Sequence, residues 1–519
     1  MISKCPKILQ KISIFRHYSS LPEVRVRFAP SPTGRLHLGG LRTALYNYVF
    51  AKSKGGKFIL RIEDTDQARL KEGAAEEFEE LLSFYGLETD ESPIKGGPKG
   101  PYRQSERLEL YHDAVERLVE EGKAYRCFCS EKRLEIVRKN ALSNRTIPRY
   151  DNHCRQISKE ESKSRKDEPH VVRFKFDKDK VDFTDIAYGQ INALADEGDF
   201  IVLKSDKFPT YHLANIVDDH LMGISHVIRG QEWLPSVPKH VKLYEAFDWP
   251  TPSWLHLPLI MKNARKKLSK RDEDGYADYY HSQKGYLRSA VLNLLIRNGA
   301  GIRDFDFKRF YELEDIVENF DENLLGTRNL QLDDDVLERY GRLSVQHAYK
   351  KGTLKSEIRN FFKMKNVKVD PEMLSDEKLD KSLDFLMHNE EAFSHMAQLV
   401  RADENKEKDK FSFLFTRPQT AVELPTGVKS KEMAVKFIKL FLDHIESENG
   451  YNYEKIKVLC KENEVPVKKL LLLIRISIIE NPNGPPISEL FQFFGQNEVR
   501  NRLEQQIKWL EEKEISEEG

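Results

Sequence analysis

A chain of 519 residues with 39% hydrophobic and 10% aromatic content is too long for one core and carries enough apolar material for several. Its 84 Lys and Arg balance 84 Asp and Glu, so net charge neither marks nor excludes a nucleic-acid partner, which would have to meet a local basic surface. No apolar run approaches the roughly 20 residues of a membrane helix, so no membrane role is expected, and five scattered cysteines exclude a disulfide framework.

Residues 1–20 differ in character from the rest. Lys4, Lys7, Lys11 and Arg16 alternate with Ile2, Ile8, Leu9, Ile12 and Phe15, and no acid appears before Glu23. This pattern is expected of a mitochondrial transit peptide and gives the chain an expected place in the mitochondrial matrix; the lysines break up any secretory apolar core. Its removal would leave four more acids than bases, making a localised basic groove more necessary.

Residues 24–28 alternate apolar and basic side chains and predict a strand, followed by the turn Pro30-Ser31-Pro32-Thr33-Gly34 and a helix over about 41–54. Residues 57–62 predict a second strand, ended by the acidic turn Glu63-Asp64-Thr65-Asp66, and helical spacing recurs over 74–85 and 106–121. This alternation predicts a parallel α/β sheet. Between about Cys127 and Lys204 the pattern breaks: 158–168 reads as a charged loop, and 170–176 and 200–204 as strands of an insertion. The α/β pattern resumes over 209–229 and 244–259. From about Gly285 helices dominate, as in the series Met433, Phe437, Phe441, Ile445 and Val499, Leu503, Ile507, Leu510. The mixed-charge run 403–410 predicts a solvated loop, and no internal repeat is present.

Two segments carry chemistry. The first is Arg27-Phe28-Ala29-Pro30-Ser31-Pro32-Thr33-Gly34 followed by His37-Leu38-Gly39-Gly40. A strand end opens through a turn into a helix whose first amides are expected to form an anion site. Gly39 and Gly40 remove side chains where a base or phosphate must approach, and His37 can donate to a phosphate oxygen. The second is Lys266-Lys267-Leu268-Ser269-Lys270-Arg271, dense enough in cations to clamp polyphosphate charge.

Together, about 230 residues apart on a Rossmann-like pattern, these segments resemble the class I aminoacyl-tRNA synthetases, and among them the bacterial-type glutamyl-tRNA synthetases. The family's HIGH and KMSKS motifs stand here as His37-Leu38-Gly39-Gly40 and Lys267-Leu268-Ser269-Lys270-Arg271; Gly40 in place of histidine removes one potential contact to ATP. Further matching blocks are residues 58–66, 100–105, 204–219 and 227–233, so the resemblance is dense over 24–297 and loose beyond. It implies a Rossmann-like α/β catalytic domain in two halves (21–126 and 205–300), an inserted acceptor-stem-binding domain (127–204), a stem-contact linker (301–345) and an all-helical anticodon-binding region (346–519). A Pro-Pro-Glu-Pro-type first motif and C-terminal β-barrels would mark the cytosolic and glutaminyl lineage; this chain has Ala29-Pro30-Ser31-Pro32 and helices instead.

The resemblance also implies roles. His37, Lys267 and Lys270 would be catalytic; His37, Gly39, Gly40, Glu232, Lys267, Leu268, Ser269, Lys270 and Arg271 would contact ATP, with Mg²⁺ held on phosphate oxygens. Glutamate offers two carboxylates and one ammonium, so its pocket needs two fixed cations and one anion. Arg27 and Arg229 would take the carboxylates, Tyr211 and Asn215 would complete the hydrogen bonds, and Glu63 would take the ammonium. Phe28, Ala29, Ser31, His212, Leu213 and Ala214, in the same blocks, would also contact the glutamate. Cys127, Cys129 and Cys154 are similar to a zinc site of some bacterial relatives, but Gln156 stands where those have histidine and His153 offers awkward geometry. No structural zinc is therefore expected. The expected partners are glutamate and its tRNA, and the expected state is a monomer. Alternatives are an enzyme that also charges the glutamine tRNA, a catalytically silent tRNA-binding paralogue, and a small-molecule nucleotidyltransferase, which would have no need of the C-terminal helices.

Overall fold

The computed structural model describes residues 23–512 apart from 264, 269–271, 298–299, 370, 389–392, 402–409 and 449. The transit-peptide segment, Ser269, Lys270 and Arg271, and nearly all of the mixed-charge run lie outside the described residues. The chain divides into two compact units: residues 23–279 with Val291–Asp334, and Tyr280–Ala290 with residues 335–512.

In the first unit, β1 (Arg25–Phe28) and β2 (Lys57–Leu60) run parallel with Arg27 opposite Ile59, joined by α1 (Leu38–Ser53). Helix α1 begins three residues earlier than expected. Leu38 and Leu41 are both fully buried, so the glycines between them are carried into the first turn. Helices α2 (Ala74–Phe84) and α3 (Leu108–Glu120) follow the predicted spacing, and α3 leads into β3 (Ala124–Cys127).

The insertion holds more order than the sequence suggested. Helix α4 (Glu131–Ser143) buries no residue, which is why periodicity did not reveal it; Ser130 caps it by accepting from the Arg133 amide. The expected loop at 158–168 instead contains the short helix α5 (Lys159–Ser164), because the Ser158 side chain accepts from the Glu161 amide. Strand β4 (Val171–Phe174) pairs antiparallel with β3 and, later, β7 (Ile201–Leu203). Between them lies an unpredicted hairpin, β5 (Asp179–Asp185) and β6 (Gly189–Ala195), with Val181, Phe183 and Asp185 buried at period two.

The second α/β half comprises α6 (Tyr211–Leu221), β8 (His226–Gly230), α7 (Val237–Ala246) and β9 (Ser253–Leu257). The sheet order is β6-β5-β9-β8, with β8 and β9 parallel. Ser225 joins this sheet to β1: its hydroxyl accepts from the Arg25 amide at 2.9 Å and its amide donates to the Arg25 carbonyl at 2.9 Å. Further on, around the expected stem-contact linker, short strands appear among the helices at Ala300–Ile302, Phe320–Leu325 and Leu330–Gln331, the last pairing with Ile260–Met261.

In the second unit the described residues from 335 onward hold helices and no strand. Helix Lys431–Ser447 buries Phe437, Phe441 and Ile445, and helix Gln496–Glu512 buries Val499, Leu503 and Leu510. The latter also buries Arg502 and Gln506, whose bonds to the Ile478 and Thr416 carbonyls and to the Val422 amide satisfy backbone groups that helix packing leaves open. No helix among the described residues is long and apolar enough to cross a membrane.

Candidate active site

The first motif forms the entrance of α1. His37 is the residue before the helix, and its Nδ1 accepts from the Gly39 amide at 3.1 Å. The Gly40 and Leu41 amides both donate to the His37 carbonyl, at 2.8 and 3.1 Å. The expected anion site of open first-turn amides is thus largely used up locally, and what remains is the helix dipole and the absence of side chains. With Nδ1 accepting, the imidazole carries its proton on Nε2. Gly40 has a packing reason beyond ligand access: a Cβ there would stand 2.8 Å from Leu36 Cδ1.

His37, Gly39, Gly40, Thr43, Gly230 and Glu232 line two adjoining pockets, a smaller one of about 290 Å³ and a larger cleft of about 860 Å³. Lys267 and Leu268 close the smaller pocket. Leu268 is buried and its amide donates to the Ile260 carbonyl, while Lys267 reaches out with its Nζ 3.6 Å from a Glu232 oxygen. A Cβ on Gly230 would overlap the Glu232 carboxylate, so a glycine that sequence reasoning passed over leaves room for that acid at the pocket wall.

The larger cleft brings together Arg27, Phe28, Ala29, Ser31, Glu63, Tyr211, Asn215 and Arg229. Leu213 and Ala214 are fully buried in the core and do not line it; His212 does not line it either, and pairs with His240 at 3.1 Å. Helical geometry gives the reason. Tyr211 and Asn215 are four residues apart and share one face of α6, whereas the three residues between them point elsewhere. The same face continues at Asp218 and Asp219, which sequence reasoning missed. A polar stripe at i, i+4, i+7 and i+8, on a helix whose other residues are apolar apart from His212 and His220, was the available signal.

Asp218 and Asp219 organise a buried ionic network. Arg27 donates from Nε and Nη2 to Asp219 at 2.9 and 3.2 Å, and Arg61 donates to Asp219 at 2.7 Å and to Glu63 at 3.1 Å. Asp218 accepts from Arg107 at 2.7 Å, from Gln104 at 2.9 Å and from the Tyr111 hydroxyl. Three arginines face three carboxylates, so the network is balanced within itself. Glu63 also accepts from Asn215 at 3.1 Å; burial pushes its carboxyl above the usual range, against the pull of Arg61 and Arg27. Arg27 was expected to be a carboxylate receptor on equal terms with Arg229, but much of its charge is already engaged by Asp219.

Arg229 is placed differently. It is buried, yet its partners are all neutral or carbonyl groups: His256 Nε2 at 3.1 Å, the Tyr211 hydroxyl at 3.0 Å, His240 Nδ1 at 3.4 Å and the Trp233 carbonyl at 3.3 Å. The Trp254 ring lies 5.4 Å from its Cζ. Among the described residues no carboxylate forms an ion pair with it. Burial, with Arg229 nearby, holds the His240 and His256 imidazoles below their ordinary range, so they stay neutral acceptors. Tyr211 packs against Trp233 with the rings tilted and their centroids 4.2 Å apart, and walls the cleft beside this cation.

In the insertion, the Cys127, Cys129 and Cys154 sulfurs lie within 4.8 Å of one another. The expectation of no zinc rested on the lack of a fourth ligand, and here the Tyr150 hydroxyl supplies a candidate, 3.3 Å from Cys127 Sγ and 3.4 Å from Cys129 Sγ. Cys129 and Cys154 are 3.5 Å apart. A tetrahedral zinc with bonds of about 2.0–2.3 Å separates its donors by about 3.5–3.8 Å; the contacts of 3.3–3.5 Å come close to that range, and the three sulfurs, within 4.8 Å of one another, need only small shifts to reach it. Arg133 Nη1 lies 3.6 Å from Cys129 Sγ and Arg173 stacks 3.8 Å from the Tyr150 ring, but burial outweighs these cations, pushing the Cys129 thiol up to about 11 and the Tyr150 hydroxyl well above its ordinary range, so a metal would have to displace both protons.

Residues 23–339 match the family model for the catalytic domain of class I tRNA synthetases (E and Q), and residues 406–507 match an anticodon binding domain. The chain belongs to the class I tRNA synthetases. Within that family its similarity runs to bacterial proteins named glutamate–tRNA ligase. One from Finegoldia magna is 36% identical over 502 residues, 93% of this chain and 99% of that protein. One from Treponema denticola is 48% identical over 304 residues, 58% of this chain and 60% of that protein. A solved glutamate tRNA ligase from Elizabethkingia meningosepticum, in complex with its amino acid, superposes with a TM-score of 0.74 at 32% identity, covering 94% of this chain and all of that one.

Proposed function

We propose that this chain joins glutamate to its tRNA through a glutamyl-adenylate intermediate. The observation that carries the reading is Arg229: a buried guanidinium without an anionic partner, facing the cleft that adjoins the His37–Gly40 pocket. A side-chain carboxylate supplies the missing negative charge, and an amide in the same place does not, so glutamate is bound and glutamine refused. Arg27 completes the carboxylate contacts while anchored on Asp219, and Glu63 takes the ammonium.

ATP is proposed to sit against Gly39 and Gly40 in the smaller pocket, with His37 Nε2–H and Lys267 on its phosphates. Glu232 is the one carboxylate lining that pocket among the described residues, which supports Mg²⁺ travelling on phosphate oxygens rather than in a protein cage. Lys270 and Arg271 would join from the same motif. An oxygen of the glutamate α-carboxylate bonds to the α-phosphorus and pyrophosphate leaves. A terminal ribose hydroxyl then attacks the acyl carbon, loses its proton, and AMP departs. The protein's part is to orient reactants and stabilise charge.

The acid-free basic N-terminus supports a mitochondrial address, tested by fusing residues 1–20 to a reporter protein. The Cys127, Cys129, Cys154 and Tyr150 donor set supports a structural zinc in the insertion. Pyrophosphate exchange with ATP and tRNA tests the main reading. Exchange with glutamate and not glutamine is expected; tRNA binding without exchange would make the chain a silent paralogue instead.

A further inference from the structure

We propose that Asp185 and His256 form a positioning pair that aims the Arg229 guanidinium into the cleft. This rests on the reading of Arg229 as a carboxylate receptor. Arg229 on β8 and His256 on β9 stand directly opposite in register, and both are buried. A guanidinium can only donate, so His256 Nε2, 3.1 Å from Arg229 Nε, must accept and carry no proton. The imidazole proton therefore sits on Nδ1, where Asp185 Oδ2 accepts it at 2.6 Å. One tautomer is allowed, and Asp185 fixes it.

Asp185 is itself held from two sides. Its Oδ1 accepts from the Ala187 and Tyr188 amides, each at 3.0 Å, which shapes the turn between β5 and β6. The Ile186 amide donates to the Trp254 carbonyl at 2.8 Å, and the Tyr188 hydroxyl bonds Gln231. The turn of the inserted hairpin is thus pinned to β9 and to the segment after β8. Within the guanidinium, Nη1 rests on Tyr211 and His240 and Nη2 on a carbonyl, so the Nε bond to His256 sets the plane of the fork. Asp185 and His256 line neither pocket, but Arg229 lines the larger cleft and not the smaller one, so loss of the pair should be felt by glutamate and not by ATP.

Asp185→Asn is an informative change. Two backbone amides already claim the oxygen at Oδ1, so the carboxamide turns its NH₂ toward His256. That forces the imidazole proton onto Nε2, where it meets the Arg229 Nε–H, donor against donor. His256→Leu removes the acceptor outright, whereas His256→Gln returns a carbonyl near the place of Nε2.

Pyrophosphate exchange by the full chain, with glutamate and ATP varied in turn and the thermal midpoint recorded, tests the pair. Asp185→Asn and His256→Leu are expected to raise the KM for glutamate about tenfold or more with little change in the KM for ATP. His256→Gln should recover most of the loss. Unchanged glutamate KM in Asp185→Asn, or equal rises for both substrates, overturns the proposal. Should Asp185→Asn not fold, equal glutamate KM values in His256→Gln and His256→Leu overturn it. Arg229→Lys is the control on the parent reading: if it leaves the glutamate KM unchanged, Arg229 is not the receptor; if it alone raises the KM, the receptor stands and the positioning pair falls.

Discussion

Arg27→Ala separates a structural duty from a ligand duty in one residue. Arg27 gives Asp219 two charge-assisted hydrogen bonds at 2.9 and 3.2 Å, with Arg27 3% and Asp219 1% exposed. Each such bond contributes about 1.5–3 kcal/mol, and removing one partner of a buried ion pair costs about 3–5 kcal/mol. Asp219 keeps Arg61 at 2.7 Å, which places the cost near the lower end, about 3 kcal/mol. At about 1.5–2 °C per kcal/mol for a unit of roughly 300 residues, Tm should fall by about 5 °C. Scanning fluorimetry of Arg27→Ala beside Arg27→Ala/Asp219→Asn measures this. The double variant restores the charge balance, two arginines facing Glu63 and Asp218, and should recover part of the loss. An unchanged Tm in Arg27→Ala with a large rise in glutamate KM would refute the reasoning, because Arg27 would then serve the ligand and not Asp219.

Other consequences can be checked independently. Gly230→Ala displaces the Glu232 carboxylate from the wall of the smaller pocket and from Lys267, so the KM for ATP should rise modestly and more than that for glutamate in steady-state kinetics. Purified chain should carry close to one zinc, measured by plasma mass spectrometry, and Tyr150→Phe should lose it faster to chelator. Burial, with Lys239 and Arg229 nearby, pushes His212 down to about 4. The unfolded chain protonates this histidine near 6.5, so its stabilisation is complete above that pH and is lost as pH falls toward about 4. Urea unfolding across that window should show a shallower pH dependence in His212→Gln than in the wild type.

The elements that frame the site were legible because local chemistry decides them. Pro30, Pro32 and Gly34 mark the turn between β1 and α1, and the apolar spacing of 74–85 and 106–121 survived folding nearly intact. What stayed hidden depends on distant segments meeting. Arg61 and Asp219 are 158 residues apart, and nothing near either one announces the other. Helix α4 is legible only through its cap, since it has no buried face. The block Tyr211–Asn215 was carried over whole, although one turn of helix admits only its two ends to the cleft. Gly40 read as a missing ligand contact, while the structure gives Leu36 as the reason for glycine.

The selectivity of Arg229 is tested most directly by measuring kcat/KM for glutamate and for glutamine, with tRNA present, in the wild type and in Arg229→Gln. Losing a charge-assisted fork costs about 3–5 kcal/mol, so glutamate should fall by roughly 10²–10⁴-fold while glutamine changes far less, and the preference should collapse. A variant that keeps the wild-type ratio would contradict the assignment of glutamate recognition to this cation.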